Sequence, residues 1–201
     1  MQSLPPVGFW SYTRQDDQES HGRMAALRRI LARELQSRMG TGEQVLMFQD
    51  IGTVNAGGDW QDKITDALAE ASFLVVVITP AYLRSQWCVE ELLHFHAREQ
   101  ALGRSDLIFP IHYINVDDID PPDHEACHDR RVWDILKTRQ WLDLRDIRQL
   151  DMERSPAAWS HVGGLARAIQ SALQQGTISS YFNDTLRSKY FRNLLAHSRE
   201  F

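Results

Sequence analysis

The sequence predicts an α/β fold built on a parallel, doubly wound sheet, and three observations carry that prediction. Short apolar runs, bounded by polar or turn-forming residues, alternate with segments of helical period along the chain. The run Phe73–Thr79 (Phe-Leu-Val-Val-Val-Ile-Thr) is β-branched and apolar on both faces, as suits a central strand covered by helices on both sides. The chain has 201 residues, 43% hydrophobic and 24% charged, which is the size and make-up of one globular domain with a real core.

The elements follow in order. Val7–Tyr12 reads as the first strand. Met24, Leu27, Ile30, Leu31 and Leu35, spaced by three and four, read as a helix with one apolar face. Gly40-Thr41-Gly42-Glu43 is a turn before the second strand, Gln44–Phe48. Ile64, Leu68 and Ala71 share a helical face ahead of the third strand, Phe73–Thr79. The next helix starts either at Thr79-Pro80 or at Ser85 and continues through Leu92, Leu93 and Phe95. Leu107–Tyr113 is the fourth strand. Asn115–Arg131, with its Asp-Pro-Pro-Asp and many charges, is a long loop before a short helix near Val132–Lys137. Gln140–Leu144 is a weaker fifth strand, and Ala157–Leu173 the last helix of the domain, with Gly176 placed as a C-cap glycine.

The expected division is a domain over residues 1–175 and a tail or linker over 176–201. In the tail Tyr181, Phe182, Leu186, Tyr190, Phe191, Leu194 and Leu195 sit at helical spacing, with Arg187, Lys189 and Arg192 between them. That pattern fits a helix packed on its own domain or leading into more chain, or else an amphipathic helix for a partner or a second copy.

Composition removes several function classes. Lys+Arg 22 against Asp+Glu 27 gives a net charge of −5, the wrong sign for an electrostatic nucleic-acid binder. No apolar run approaches the roughly 18 residues of a membrane span, and Met1-Gln2-Ser3 does not open a signal peptide. Cys88 and Cys127 are too few for a disulfide framework and read as reduced thiols of a cytoplasmic protein. The loop after the first strand, Ser11-Tyr12-Thr13-Arg14-Gln15-Asp16-Asp17, has no glycine fingerprint of a dinucleotide or P-loop fold. A phosphoacceptor receiver would use Asp16 and Asp17 for magnesium, but would want an aspartate where Thr79-Pro80 stands. His124, Cys127 and His128, with His94 and His96, match no standard zinc spacing, so no metal is expected. Cys88 reads as a small buried side chain, not a nucleophile.

One pair does suggest chemistry. Trp87 and Glu91 are four apart on the helix after the central strand, so they share a face. That helix begins near the carboxyl end of the strand, where open α/β sheets place their ligand crevice. An indole beside a carboxylate suits a cationic aromatic ring joined to a sugar: the ring stacks, and the carboxylate stabilises positive charge developing on the ribose. The nicotinamide riboside end of oxidised NAD fits that description. Nicotinamide leaves as a neutral molecule, so one carboxylate suffices where ordinary glycoside hydrolysis uses two. The plainer alternative is a packing tryptophan and a solvated helical glutamate.

Three blocks then resemble the Toll/interleukin receptor (TIR) domain family. Phe9-Trp10-Ser11-Tyr12 with Asp16-Asp17 is similar to its first-strand signature. Val45-Leu46-Met47-Phe48-Gln49-Asp50, with Gly57-Gly58-Asp59-Trp60 opening a helix, resembles its second strand and BB loop. Phe73 to Thr79, Pro80-Ala81-Tyr82-Leu83-Arg84-Ser85-Gln86-Trp87-Cys88-Val89-Glu90-Glu91-Leu92, resembles its third block. The resemblance covers about residues 5 to 175 and implies a flavodoxin-like, five-stranded parallel sheet of order 2-1-3-4-5 with helices on both faces. It implies either of two functions. Some members cleave NAD into nicotinamide and ADP-ribose or a cyclic relative in innate or antiviral defence; others are non-catalytic adaptors that act by homotypic assembly. For an enzyme, the resemblance makes Glu91 catalytic, places Tyr12, Thr13, Arg14, Asp50 and Trp87 on the substrate, and makes NAD the substrate with no further cofactor. It also implies self-association, extending to filaments, through the BB loop (residues 49–59) and adjacent helices, with no direct nucleic-acid or membrane partner. The glycines at 52, 57 and 58 give that loop the backbone freedom to be ordered by a second subunit. The loop departs from the family pattern in lacking a proline before its glycine, which weighs against adaptor-style partner surfaces more than against the catalytic site.

Overall fold

The run apolar on both faces becomes β3 (Phe73–Ile78), a strand in which all six side chains are buried. The computed structural model describes residues 7–40, 45–49, 68, 71–116 and 129–177. Around β3 the order along the chain is β1 (Val7–Ser11), α1 (Arg14–Glu19), α2 (Arg23–Met39) and β2 (Leu46–Gln49) before it. After it come α3 (Pro80–Arg84), α4 (Gln86–Ala101), β4 (Ile108–His112), α5 (Arg130–Leu136), β5 (Leu142–Asp143) and α6 (Pro156–Thr177). The strands form one sheet of order β2-β1-β3-β4-β5, and every pairing is parallel. The doubly wound α/β class and the strand order read from the sequence are both found.

Alternation along the strands splits the core in two. Leu74, Val76 and Ile78 face α3, α4 and α5, where they meet Tyr82, Leu92 and Phe95. Phe73, Val75 and Val77 face α2 and α6, where they meet Leu27, Leu31 and Val162. Each fully buried aliphatic side chain of this kind contributes about 1.5–3 kcal/mol. β1 is divided in the same way, with Phe9 on the α4 side and Trp10 on the α2 side. Gly8 is required by packing: a Cβ there would lie 2.5 Å from Met47 Sδ and 2.5 Å from Phe73 Cζ.

Pro110 stands in the middle of β4, buried, in a strand with neighbours on both sides. Leu74 N donates to Leu107 O and Tyr113 N to Ile78 O, so odd-numbered residues of β4 bond to β3; Leu144 N donates to His112 O, so even-numbered ones face β5. The N–H that proline lacks would therefore point towards β5, whose register begins only at Ile111 opposite Leu142.

Several local expectations are refined. Both proposed helix starts are real: α3 begins after Thr79, whose side chain accepts from Tyr82 N, and α4 after Ser85, whose side chain accepts from Cys88 N. The loop expected to run to Arg131 ends earlier, because Asp129 caps α5 by accepting from Arg131 N at 2.8 Å and draws Arg130 and Arg131 into the helix. The fifth strand is two residues long. Gly176 is corrected as a stop signal, since α6 continues to Thr177 and the glycine falls in its last turn. A helical glycine costs only about 1 kcal/mol against alanine, which the burial of Val162, Leu165 and Ile169 outweighs. Of the helix expected around Ile64, Leu68 and Ala71, Leu68 is helical and buried, Ala71 is buried but not helical, and Ile64 lies outside the described residues. His124, Cys127, His128 and the tail from residue 178 lie outside them too. Among the described residues no helix is long and apolar enough to cross a membrane.

Candidate functional site

The carboxyl edge of the sheet is where β1 and β3 give way to helices, and buried polar groups gather there. Ser11 is the last residue of β1, beside Val76 of β3, and is 1% exposed. Because side chains alternate, it shares the α4 face with Phe9. Glu91, on α4, is 7% exposed and accepts a hydrogen bond from the Ser11 hydroxyl to Oε2 at 2.5 Å. Ser11 Oγ also lies 3.2 Å from Tyr82 Oη, and Tyr82 donates to the Cys88 carbonyl at 3.0 Å. A serine has one hydrogen, and the charged oxygen at the shorter distance takes it. Burial, and then the neighbouring Cys88 and Glu91, push the Tyr82 phenol well above its ordinary range, against the smaller pull of the Ser11 hydrogen bond. Tyr82 therefore stays protonated and remains a donor. Strand, short helix and long helix are tied at one point.

A second buried carboxylate stands beside this trio. Asp16, 6% exposed, accepts on Oδ2 from the hydroxyls of Thr13 and of Thr79, the latter at 2.5 Å. Thr13 is the N-cap of α1 and Thr79 the N-cap of α3, so one carboxylate fastens the starts of two helices. Asp17 Oδ1 accepts from Ala25 N at 3.2 Å at the beginning of α2. The two aspartates that a magnesium site would use are thus engaged in holding loops.

The residues singled out in the sequence separate in space. Glu91 is turned inward, whereas Trp87, one turn earlier on α4, is 49% exposed. Tyr12 turns to the other side of the sheet and packs on the α2–α6 cluster; its carbonyl accepts from Cys88 Sγ at 3.6 Å. Cys88 itself is a buried free thiol, as expected. Thr13 is a cap, and Arg14 is exposed as the first residue of α1. Asp50 and the rest of the BB loop after Gln49 lie outside the described residues. Ser11, Tyr82, Thr79 and Asp16 were not singled out as site residues. The available signal was the alternation of β1: a serine on the same face as a buried phenylalanine, at the ligand-binding end of the strand, needs a polar partner.

His94 is exposed, and His96 Nδ1 lies 3.3 Å from Arg139 and 3.5 Å from Glu99. Among the described residues no three histidine, cysteine or acidic side chains are grouped to hold a metal ion.

The family model described as the TIR domain matches residues 9–155. The chain belongs to the TIR domain family. The matched span runs from within β1 to just before α6 and includes Ser11, Asp16, Tyr82, Trp87 and Glu91. Helix α6 follows it and packs on the α2 side of the sheet, its Ala158, Val162 and Ile169 buried with α2, and Gln170 donating to the Arg38 carbonyl at 3.0 Å. Among solved structures, the chain is similar to the TIR domains of the activated Roq1 resistosome directly recognizing the pathogen effector XopQ. That similarity has 16% identity and a TM-score of 0.44, covering 85% of this chain and 98% of that one. No curated protein matches the sequence.

Proposed function

We propose that this TIR domain cleaves the bond between nicotinamide and ribose in NAD, with Glu91 as the catalytic carboxylate. The observation that carries the reading is the position of Glu91: a buried carboxylate hydrogen-bonded to Ser11 at the carboxyl edge of a parallel sheet, one turn from a half-exposed tryptophan. The cationic nicotinamide ring stacks on Trp87, and the carboxylate faces the ribose as charge develops at C1′. The C1′–N bond breaks with its electron pair passing to the nicotinamide nitrogen, which leaves neutral. Water then bonds to C1′ and releases a proton, giving ADP-ribose; attack by a nitrogen of the adenine instead gives a cyclic product. Arg14 and Asp50 serve the remainder of the substrate, while Tyr12, packed on the α2–α6 side, and Thr13, capping α1, hold the chain that leads to Arg14. The reaction takes place in the cytoplasm as a defence signal and is switched on by self-association through residues 49–59 and adjacent helices. Specific activity therefore rises as the protein is concentrated or clustered.

The test is nicotinamide release from NAD by concentrated protein. Glu91→Gln keeps size and hydrogen-bonding capacity but removes the charge, and is expected to lower release on the order of 1,000-fold with the fold intact. Near-normal turnover in that variant overturns the assignment. A wild-type protein that releases no nicotinamide even when clustered is instead a homotypic scaffold.

A further inference from the structure

We infer that Ser11 is a positioning residue for Glu91, itself steadied by Tyr82, an inference that rests on the NAD-cleaving reading of the same site. A glutamate side chain has three torsions to fix, and misplacing a reacting group by about 1 Å costs about 100-fold in rate. Helix α4 fixes only the first part of that side chain. The 2.5 Å bond from the Ser11 hydroxyl fixes the far end by holding Oε2 against β1, a strand bonded on both sides, to β2 and to β3.

Ser11 is in turn placed by Tyr82. The phenol is wholly buried, anchored to the Cys88 carbonyl at 3.0 Å, and its oxygen lies 3.2 Å from Ser11 Oγ. Cys88 and Glu91 are three apart on one face of α4, so the tyrosine registers that helix against β1 with its backbone contact while Ser11 holds the carboxylate. The trio draws on β1, α3 and α4. None of its members is contributed by a long, exposed loop.

The same hydroxyl bears on charge. A donor on a carboxylate favours the ionised form, and it is the ionised form that stabilises a cationic sugar. The titratable groups around Glu91 are the Tyr82 phenol of α3, which stays protonated, the Cys88 thiol of α4 and, beside the trio, the buried Asp16 carboxylate, whose Oδ2 takes the Thr13 and Thr79 hydroxyls. Only the last is an acid of the carboxylate class, and its signal is told from that of Glu91 because it persists in Glu91→Gln.

The experiment compares Ser11→Ala, Ser11→Thr and Tyr82→Phe with wild type. Ser11→Ala is expected to lower kcat for nicotinamide release about 10- to 100-fold, the worth of a hydrogen bond to a charged group, with KM for NAD changed less than about threefold. The acid limb of its pH profile moves to higher pH. Ser11→Thr keeps the hydroxyl and recovers most of the rate; Tyr82→Phe keeps the ring and loses a smaller factor than Ser11→Ala. Independently of activity, the Glu91 carboxyl carbon signal, identified by its absence in Glu91→Gln, is followed by NMR through an acid titration. Its midpoint is expected at higher pH in Ser11→Ala than in wild type. An unchanged midpoint in a folded Ser11→Ala protein overturns the positioning role. So does a variant whose loss of rate matches only its loss of folded protein. If wild type releases no nicotinamide, the NAD reading fails by itself, and the carboxyl titration alone decides whether Ser11 governs Glu91.

Discussion

Helix α4 carries a buried glutamate towards each end, and the two lie at opposite edges of the sheet. Glu91 meets the Ser11 hydroxyl at the carboxyl edge. Glu99, 0% exposed, lies at the amino edge, where its Oε1 accepts from the backbone amides of Leu107 and Ile108 at 2.7 and 3.1 Å as β4 begins. Its Oε2 takes Arg139 Nη2 at 2.6 Å, and that arginine is also nearly buried. A carboxylate answered by a guanidinium and two amides is a rivet: it joins α4, β4 and the segment before β5, and offers nothing to a ligand. A carboxylate held by a hydroxyl at the ligand-binding edge is oriented without being neutralised by that contact. Burial alone does not tell a carboxylate placed for a ligand from a structural one; the partner and the edge of the sheet do.

The sharpest way to break this comparison is to remove charge from each glutamate in turn. Glu99→Gln leaves the Arg139 charge buried without its counter-ion and is expected to cost about 3–5 kcal/mol of stability. Glu91→Gln is expected to stay within about 1 kcal/mol of wild type, its effect falling on turnover instead. Urea unfolding of the two variants side by side measures the contrast, and equal losses would erase the distinction. A smaller effect is expected at the shared clamp beside the site. Thr79→Val removes the cap of α3 and one donor to Asp16 together, a loss of about 1–3 kcal/mol by the same measurement.

The smallest effect belongs to a carboxylate outside both categories. Asp143 is held down to about 2, chiefly by its side-chain hydrogen bonds from Arg145, although about half of its side chain is exposed. A depressed carboxylate contributes stability above the unfolded value, near 3.9, and loses it as pH falls through about 2. Solvent screening reduces that contribution to a few tenths of a kcal/mol. Asp143→Asn is therefore expected to be slightly less stable than wild type at neutral pH and equal to it below pH about 2, as unfolding at the two pH values would record.

These contrasts also mark what the sequence could carry. The strands were legible because Phe73–Ile78 is apolar at every position, and because Phe9 and Trp10 each need a covered face of the sheet. Glu91 was legible through its spacing from Trp87 and its place after the central strand. Ser11 was written in β1, but its partner is 80 residues away, and nothing local announces which carboxylate it meets. Glu99 was less legible still: a glutamate followed by glutamine near the end of a helix reads as a solvated charge until Arg139 arrives from a different element. Gly176 misled for the reverse reason, since a residue that often ends helices was overruled by an apolar face already committed to α2.

Asp16 has a further consequence. Its carboxylate receives the two threonine hydroxyls whose other role is to accept the first amides of α1 and of α3. Both caps share that one anchor, so the segments that follow two neighbouring strands are latched by a single hinge pin. The helix that Arg14 begins and the helix bearing Tyr82 are then expected to open as one cooperative unit, so that loosening at either reaches both.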